Sequence, residues 1–312
     1  MSISSFERSD RSERWQPNRA LNKWVQRTIV AIFGLFALIS VLTTFGIVTT
    51  LLVDAIPFFQ EVPFSDFLTD TQWTPLFTRK EYGIFVLITA TFLTSVIAVA
   101  VALPLGLLSA VCLSEYAPRS LRRWLKPALE ILAGVPTVVY GYFALLFVTP
   151  ILRNFIPGMQ PFNSLSAGIV LGIAIIPTVA SLSEDAIYAV PNSLRQGAYA
   201  LGSTKREVIL GVVIPSALSG IVASFILGVS RAVGETMIVT IAAGQSPNLT
   251  LNPLVPVATM TAYIVQVSLG DAPAGSLAFK TIYAVGLTLF LITLVLNVFS
   301  FWFVRRFQQK YE

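Results

Sequence analysis

Six separate stretches of this chain are each long and apolar enough to cross a bilayer, which limits its possible folds more than any other feature. They run at about residues 28–53, 83–113, 131–151, 165–188, 215–244 and 281–304. A helix needs about 20 predominantly apolar residues to traverse a hydrocarbon core about 30 Å thick. Charged residues make up 12% of the sequence, against about 25% in soluble domains. The expected architecture is an all-α membrane protein with six transmembrane helices.

The first stretch follows a polar leader, residues 1–27, that is too long for the basic region of a signal peptide. It is therefore expected to remain as an uncleaved first span. Several spans carry Pro or Gly inside, among them Pro104, Pro136, Gly141 and Pro177, which membrane helices tolerate where neighbours satisfy the backbone. Gly168 and Gly172 form a GxxxG suited to close helix contact.

Basic residues set the expected orientation. The leader holds Arg8, Arg11, Arg14, Arg19, Lys23 and Arg27, and a short tail, 305–312, holds Arg305, Arg306 and Lys310. Between them come Arg119, Arg122, Arg123 and Lys126 in the loop after span two, and Arg195, Lys205 and Arg206 after span four. The alternate loops carry only Arg79, Lys80, Arg153 and Lys280, among six acids. The positive-inside rule then places both termini in the cytoplasm and accounts for the net charge of +5 without a nucleic-acid partner. Two outer segments are long. Residues 55–82 are rich in aromatics and acids, and 245–280 contain an apolar stretch, 256–267, too short to span and expected to be re-entrant or interfacial. They read equally as an external cap or as a docking surface for a soluble partner.

Composition also removes much chemistry. With one cysteine, Cys112, and no histidine, internal disulfides, zinc sites, histidine relays and His-dependent triads are not expected. No Gly-Lys dipeptide occurs, so there is no G-x-x-x-x-G-K-[ST] nucleotide cradle. Any ATP would be bound by another subunit.

Residues 228–237, GVSRAVGETM, interrupt this apolar background. Read as part of one helix, they place Arg231 and Glu235 as the only charges inside any span. A charge at such depth costs about 2.5–3.5 kcal/mol on insertion scales, so it is expected to serve a purpose. A spacing of four puts both on one helical face within ion-pair reach. Counted from Pro215, Arg231 lies about 24 Å along a helix, in the outer half of the membrane. Thr236 and Ser230 flank the pair and, with Tyr140 and Tyr142, could hydrogen-bond a substrate, although in-span hydroxyls more often bond their own backbone. Glu130 suits a helix N-terminus.

The segment 189–214 is too polar to span. Pro191 suits a first helical position, Gly202 a helix end, and Thr204 to Glu207 a capping box. The expected form is a short helix, a glycine turn and a second helix leading into the membrane at Pro215. Gln196-Gly197-Ala198, Gly202 and Val212-Val-Ile-Pro215 resemble the coupling loop of bacterial ABC importer permeases, although Gln196 and Gly197 depart from the usual Glu-Ala. Together with residues 130–144, EILAGVPTVVYGYFA, and 228–237, they make residues 83–306 similar to the phosphate-specific transport (Pst) permeases. Met237 and the long leader look more like the PstC type than PstA.

That resemblance implies a type I ABC importer permease fold that moves inorganic phosphate inward. It implies a PstA-like second permease, a PstB-like ATPase dimer that binds ATP, and a PstS-like periplasmic binding protein. In such a complex Arg231 and Glu235, with Thr236 and Tyr140, would line the phosphate path. Gln196, Gly197, Ala198, Gly202 and Pro215 would couple it to the ATPase. A permease for sulfate or molybdate, an ion-coupled secondary transporter and a regulatory subunit stay open as alternatives.

Overall fold

The computed structural model describes residues 19–307. Residues 1–18 of the expected leader and 308–312 of the expected tail lie outside the described residues. Helix α1 (Arg19–Glu61) is a single helix of 43 residues. Its part up to Val53 belongs to one compact unit, and Asp54 onward to a second. Within the first unit Trp24, Phe33, Phe36 and Phe45 are all exposed around the helix. A helix apolar on every side suits lipid rather than water.

The second unit opens with the last turns of α1, followed by α2 (Phe64–Thr69) and a loop closed by one antiparallel bridge between Trp73 and Tyr82. Phe58, Phe67, Trp73 and Tyr82 meet edge to face there, the arrangement aromatic quadrupoles favour. Next, α3 (Phe85–Val111) continues through one wide turn, Cys112–Tyr116. The basic segment that follows is not a loop but an amphipathic helix, α4 (Arg119–Ala133). Gly134 ends it, and Pro136, lacking an amide donor, directly precedes α5 (Thr137–Phe143). A wide turn, Ala144–Val148, then joins α5 to α6 (Thr149–Phe155). The third membrane-length helix therefore runs Thr137–Phe155, not 131–151, because that Gly-Val-Pro step detaches residues 131–133.

Helix α7 (Ser164–Tyr188) lies at the centre, with Asn163 capping its start by accepting from the Ser166 amide at 2.8 Å. Its GxxxG faces α3. A Cβ at Gly168 would come within 2.7 Å of Ile97, and one at Gly172 within 2.7 Å of the Ala98 carbonyl oxygen. Small residues here allow the two backbones to approach closely.

After α7 come α8 (Asn192–Ala200) and α9 (Lys205–Val208). The wide turn Ile209–Val213 then leads into α10 (Ile214–Gly234). Helix α10 runs antiparallel to α7, with Ser224 and Ser183 sharing a buried hydroxyl bond of 2.7 Å. The fifth stretch is not one helix. It breaks after Gly234 and resumes as α11 (Met237–Ala242).

The apolar stretch 256–267 contains α12 (Met260–Gln266), which packs inside the protein rather than at its surface. The Met260 amide donates to Thr91 Oγ1 at 3.1 Å, and the Tyr263 hydroxyl meets Thr281 Oγ1 at 2.7 Å. Helix α13 (Leu277–Phe307) ends the described chain. Among the described residues, six helices are long and apolar enough to cross a membrane, two of them Lys23–Glu61 and Lys205–Gly234.

Candidate functional site

The break in the fifth stretch defines the site. Glu235 adopts an extended conformation, φ −66° and ψ 135°. Its Oε1 turns forward to accept from the amides of Met237 at 3.1 Å and Ile238 at 3.3 Å. Those amides open α11 and have no partner within the helix, so the carboxylate supplies one. The Glu235 carbonyl accepts from Thr261 Oγ1 at 2.7 Å, which ties the break to α12.

The expected Arg231–Glu235 ion pair is therefore overturned. It needs an unbroken helix, and extended backbone at Glu235 removes the four-residue register. Arg231 turns instead to α7, where Nη1 donates to Thr178 Oγ1 at 2.6 Å. Among the described residues Arg231 makes no ion pair. Among the described residues one of its five N–H donors is engaged. A half-buried cation is left without a counter-charge.

Its contact with Thr178 fixes its level along α7. Thr178 lies ten residues before the end of α7 at Tyr188, about 15 Å at 1.5 Å per residue, and fourteen after its start, about 21 Å. Arg231 thus meets the central helix near its middle, slightly toward the α8 end. Along its own helical run, Lys205–Gly234, Arg231 lies three residues from the end.

Tyr140 is buried on α5. Its hydroxyl donates to the Leu132 carbonyl at 2.7 Å, spanning the Gly134–Pro136 break from α5 back to α4. Its donor is thus committed to backbone, and only its oxygen lone pairs face other partners. Thr236 Oγ1 donates to the Gly234 carbonyl at 3.3 Å. Tyr142 is exposed, and Glu130 sits on α4 rather than at the start of the third span.

One buried carboxylate was missed. Glu184, on α7, is 1% exposed and pairs with Arg122 of α4 at 2.5 Å and, more loosely, with Lys126 at 3.6 Å. Arg231 and Glu235 are thus not the only charges within a span. Glu184 and Asp185 both lie within the fourth stretch, 165–188. Their place in the sequence was readable, but their partners come from a segment mistaken for loop.

At the α8 end the chain forms a compact elbow. Gly202, at φ +83°, takes the left-handed conformation that ends α8. Glu207 accepts from the Thr204 amide at 2.7 Å and its hydroxyl at 2.8 Å, starting α9. Gln196 and Gly197 face outward, whereas Ala198 packs on the apolar cluster formed by Ile187, Val208 and Val213. Pro215 is the second residue of α10, reached through unbroken helical turns from α9.

Arg195 anchors this elbow. It donates to the carbonyls of Val190 at 2.6 Å and Ile187 at 2.8 Å, and to Glu115 Oε1, after α3, at 3.1 Å. Sequence reading counted Arg195 only toward orientation.

With this geometry in place, comparison with known proteins defines the class. Residues 102–312 match the family described as binding-protein-dependent transport system inner membrane component, and the chain belongs to that family of importer permeases. The fold agrees. It superimposes with a TM-score of 0.64 on a chain of a bacterial ABC transporter involved in the import of the acidic polysaccharide alginate, at 14% identity, covering 92% of this chain and 100% of that one.

Among its relatives, the chain is 32% identical over 308 residues to the phosphate transport system permease protein PstC of Haemophilus influenzae, covering 92% of this chain and 95% of that protein. It is also 34% identical over 239 residues to the probable ABC transporter permease protein YqgH of Bacillus subtilis, covering 77% of this chain and 75% of that one.

Proposed function

We propose that this chain is the PstC-type permease subunit of an ATP-driven importer that moves inorganic phosphate inward across the bacterial inner membrane. One observation carries the reading. Arg231 sits half-buried near the middle of the central helix with four N–H donors free among the described residues and no carboxylate paired to it. A cation so placed is costly, and an arriving oxyanion offsets that cost. The planar guanidinium offers two parallel donors to two phosphate oxygens, a geometry that lysine lacks. The similarity to PstC relatives over almost the whole chain supports phosphate as the anion.

In this reading both termini are cytoplasmic, and a periplasmic PstS-like protein delivers phosphate from the side of α2 and α12. A PstA-like permease completes the path, and a PstB-like ATPase dimer binds ATP and engages α8 through Gln196, Gly197 and Ala198. Movement of α8 reaches Arg231 by two routes. One is the helical run through Pro215 into α10. The other is Arg195, which holds α8 to the end of α7, the helix carrying Thr178. Two rigid helices shifting together around a mid-span site is the motion that alternating access requires. Glu235 keeps α11 capped throughout, and its negative charge near the break limits how tightly an anion is retained.

The test is uptake of labelled phosphate by the complex reconstituted with its second permease, ATPase and binding protein, comparing wild type with Arg231→Lys. ATP-dependent uptake lost in the variant supports the proposal. Uptake without ATP points to a secondary transporter. Uptake of sulfate in place of phosphate reassigns the anion, and indifference to the substitution removes Arg231 from the path.

A further inference from the structure

An apolar groove of about 330 Å³ opens where α4 folds back beside the last turns of α3. Its walls include Leu105 and Leu108 of α3, Cys112 of the wide turn that follows, and Leu125 and Leu129 of α4. Leu105 and Cys112 are seven residues apart, so the groove follows α3 for about 10 Å. Leu105, Leu108, Cys112 and Leu125 are all exposed. The one hydroxyl on the wall, Ser109, donates to the Leu105 carbonyl at 2.7 Å. Its proton is therefore spent on backbone, and the groove presents hydrocarbon. It lies on a helix of membrane-crossing length, Phe85–Tyr116, where such a surface meets acyl chains rather than water.

A cation stands one turn beyond the groove. Tyr116 follows Cys112 by four residues, at the end of the same wide turn. Lys205, the first residue of α9, places Nζ 4.5 Å from the centre of the Tyr116 ring. Lys205 and Tyr116 are both exposed. Among the described residues Lys205 makes no ion pair, and neither its ammonium nor the Tyr116 hydroxyl has a hydrogen-bond partner. The carboxylates nearest to them in the chain are committed elsewhere. Glu115 pairs with Arg195, and Glu207 caps α9 through Thr204. An apolar slot thus ends at an ammonium and a phenol, both with donors to offer.

We propose that this groove holds an acyl chain of an anionic phospholipid, whose headgroup phosphate accepts from Lys205 and Tyr116. The chain covers the exposed leucines, and the phosphate supplies the counter-charge that Lys205 lacks. An anionic headgroup is favoured because a zwitterionic one brings its own ammonium, which Lys205 repels. Lys205 belongs to α9, whereas the groove belongs to α3 and α4. A bound lipid therefore joins the elbow formed by α8 and α9 to the membrane helices. The site is independent of which anion the protein transports.

The experiment uses the full complex, delipidated in detergent, and compares wild type with Lys205→Met after assembly is checked by co-purification. Cys112 is the chain's one cysteine and lies on the groove wall. Its modification by N-ethylmaleimide, read by mass spectrometry of the peptide that carries it, therefore reports whether the groove is filled. Phosphatidylglycerol and phosphatidylcholine with the same acyl chains are titrated separately. Phosphatidylglycerol is expected to half-protect Cys112 at about one-tenth of the concentration that phosphatidylcholine needs, the effect of one charged hydrogen-bond partner. Lys205→Met is expected to abolish that difference while leaving weak protection by both lipids. Equal protection by the two lipids in wild type, protection by neither, or a preference unchanged in Lys205→Met overturns the proposal. A Cys112 that is unreactive before lipid is added shows the groove covered by another subunit, and overturns it too. Phosphate uptake is not a readout, so the transport reading and the lipid site fail independently.

Discussion

Replacing Arg195 by alanine tests whether α8 drives the membrane helices through a rigid anchor. The side chain makes four contacts, to the carbonyls of Val190 and Ile187, to Asn192 Oδ1 at 3.2 Å and to Glu115 Oε1. Both members of the ion pair are largely buried, with side-chain exposures of 16% for Arg195 and 12% for Glu115. Removing one partner of a buried pair typically costs about 3–5 kcal/mol, because the other charge is stranded. Residual solvent access lowers this to about 3 kcal/mol. Substituting Glu115→Gln in addition removes the stranded charge and recovers part of the stability. It does not restore the bonds from α8 to the end of α7. The assay is phosphate uptake and ATP hydrolysis measured on the same proteoliposomes, beside thermal unfolding in detergent. Arg195→Ala is expected to lower uptake per ATP hydrolysed, with the double variant regaining thermal stability but not coupling. An Arg195→Ala complex with wild-type uptake per ATP refutes the rigid-anchor argument.

Two further substitutions separate packing from charge. At Gly172→Ala the new Cβ meets the Ala98 carbonyl oxygen at 2.7 Å. Backbone cannot step aside as a side chain can, so a loss of about 1–3 kcal/mol is expected in thermal unfolding. Glu235→Gln keeps a carbonyl oxygen able to cap α11, whereas Glu235→Ala leaves two amides open and costs about 1 kcal/mol. Equal stability of wild type and Glu235→Gln with altered phosphate uptake assigns the carboxylate charge to transport. Equal uptake assigns Glu235 to capping alone.

Much of the elbow formed by α8 and α9 was legible before the structure, because its signals are local. Gly202 ends a helix through its own backbone freedom, and Thr204 and Glu207 cap one another within a single turn. The break at Glu235 was not legible, since apolar residues continue on both sides and the carboxylate that caps α11 looks like an ion-pair partner for Arg231. Arg195 was passed over for a different reason. Its ionic partner is eighty residues earlier in the chain.

The sequence by itself determined the number of membrane-length helices, the basic and acidic character of the segments between them, the start and stop of α8 and the start of α9. These follow from apolar run length and from capping chemistry, both properties of neighbouring residues. Tertiary structure alone decided what Arg231 faces, where along the bundle it lies, and that Glu184 is buried between two cations. Those depend on how α4, α7 and α10 are packed together. The energy of a charge is set by the groups that surround it in space, and here they come from helices far apart in the chain.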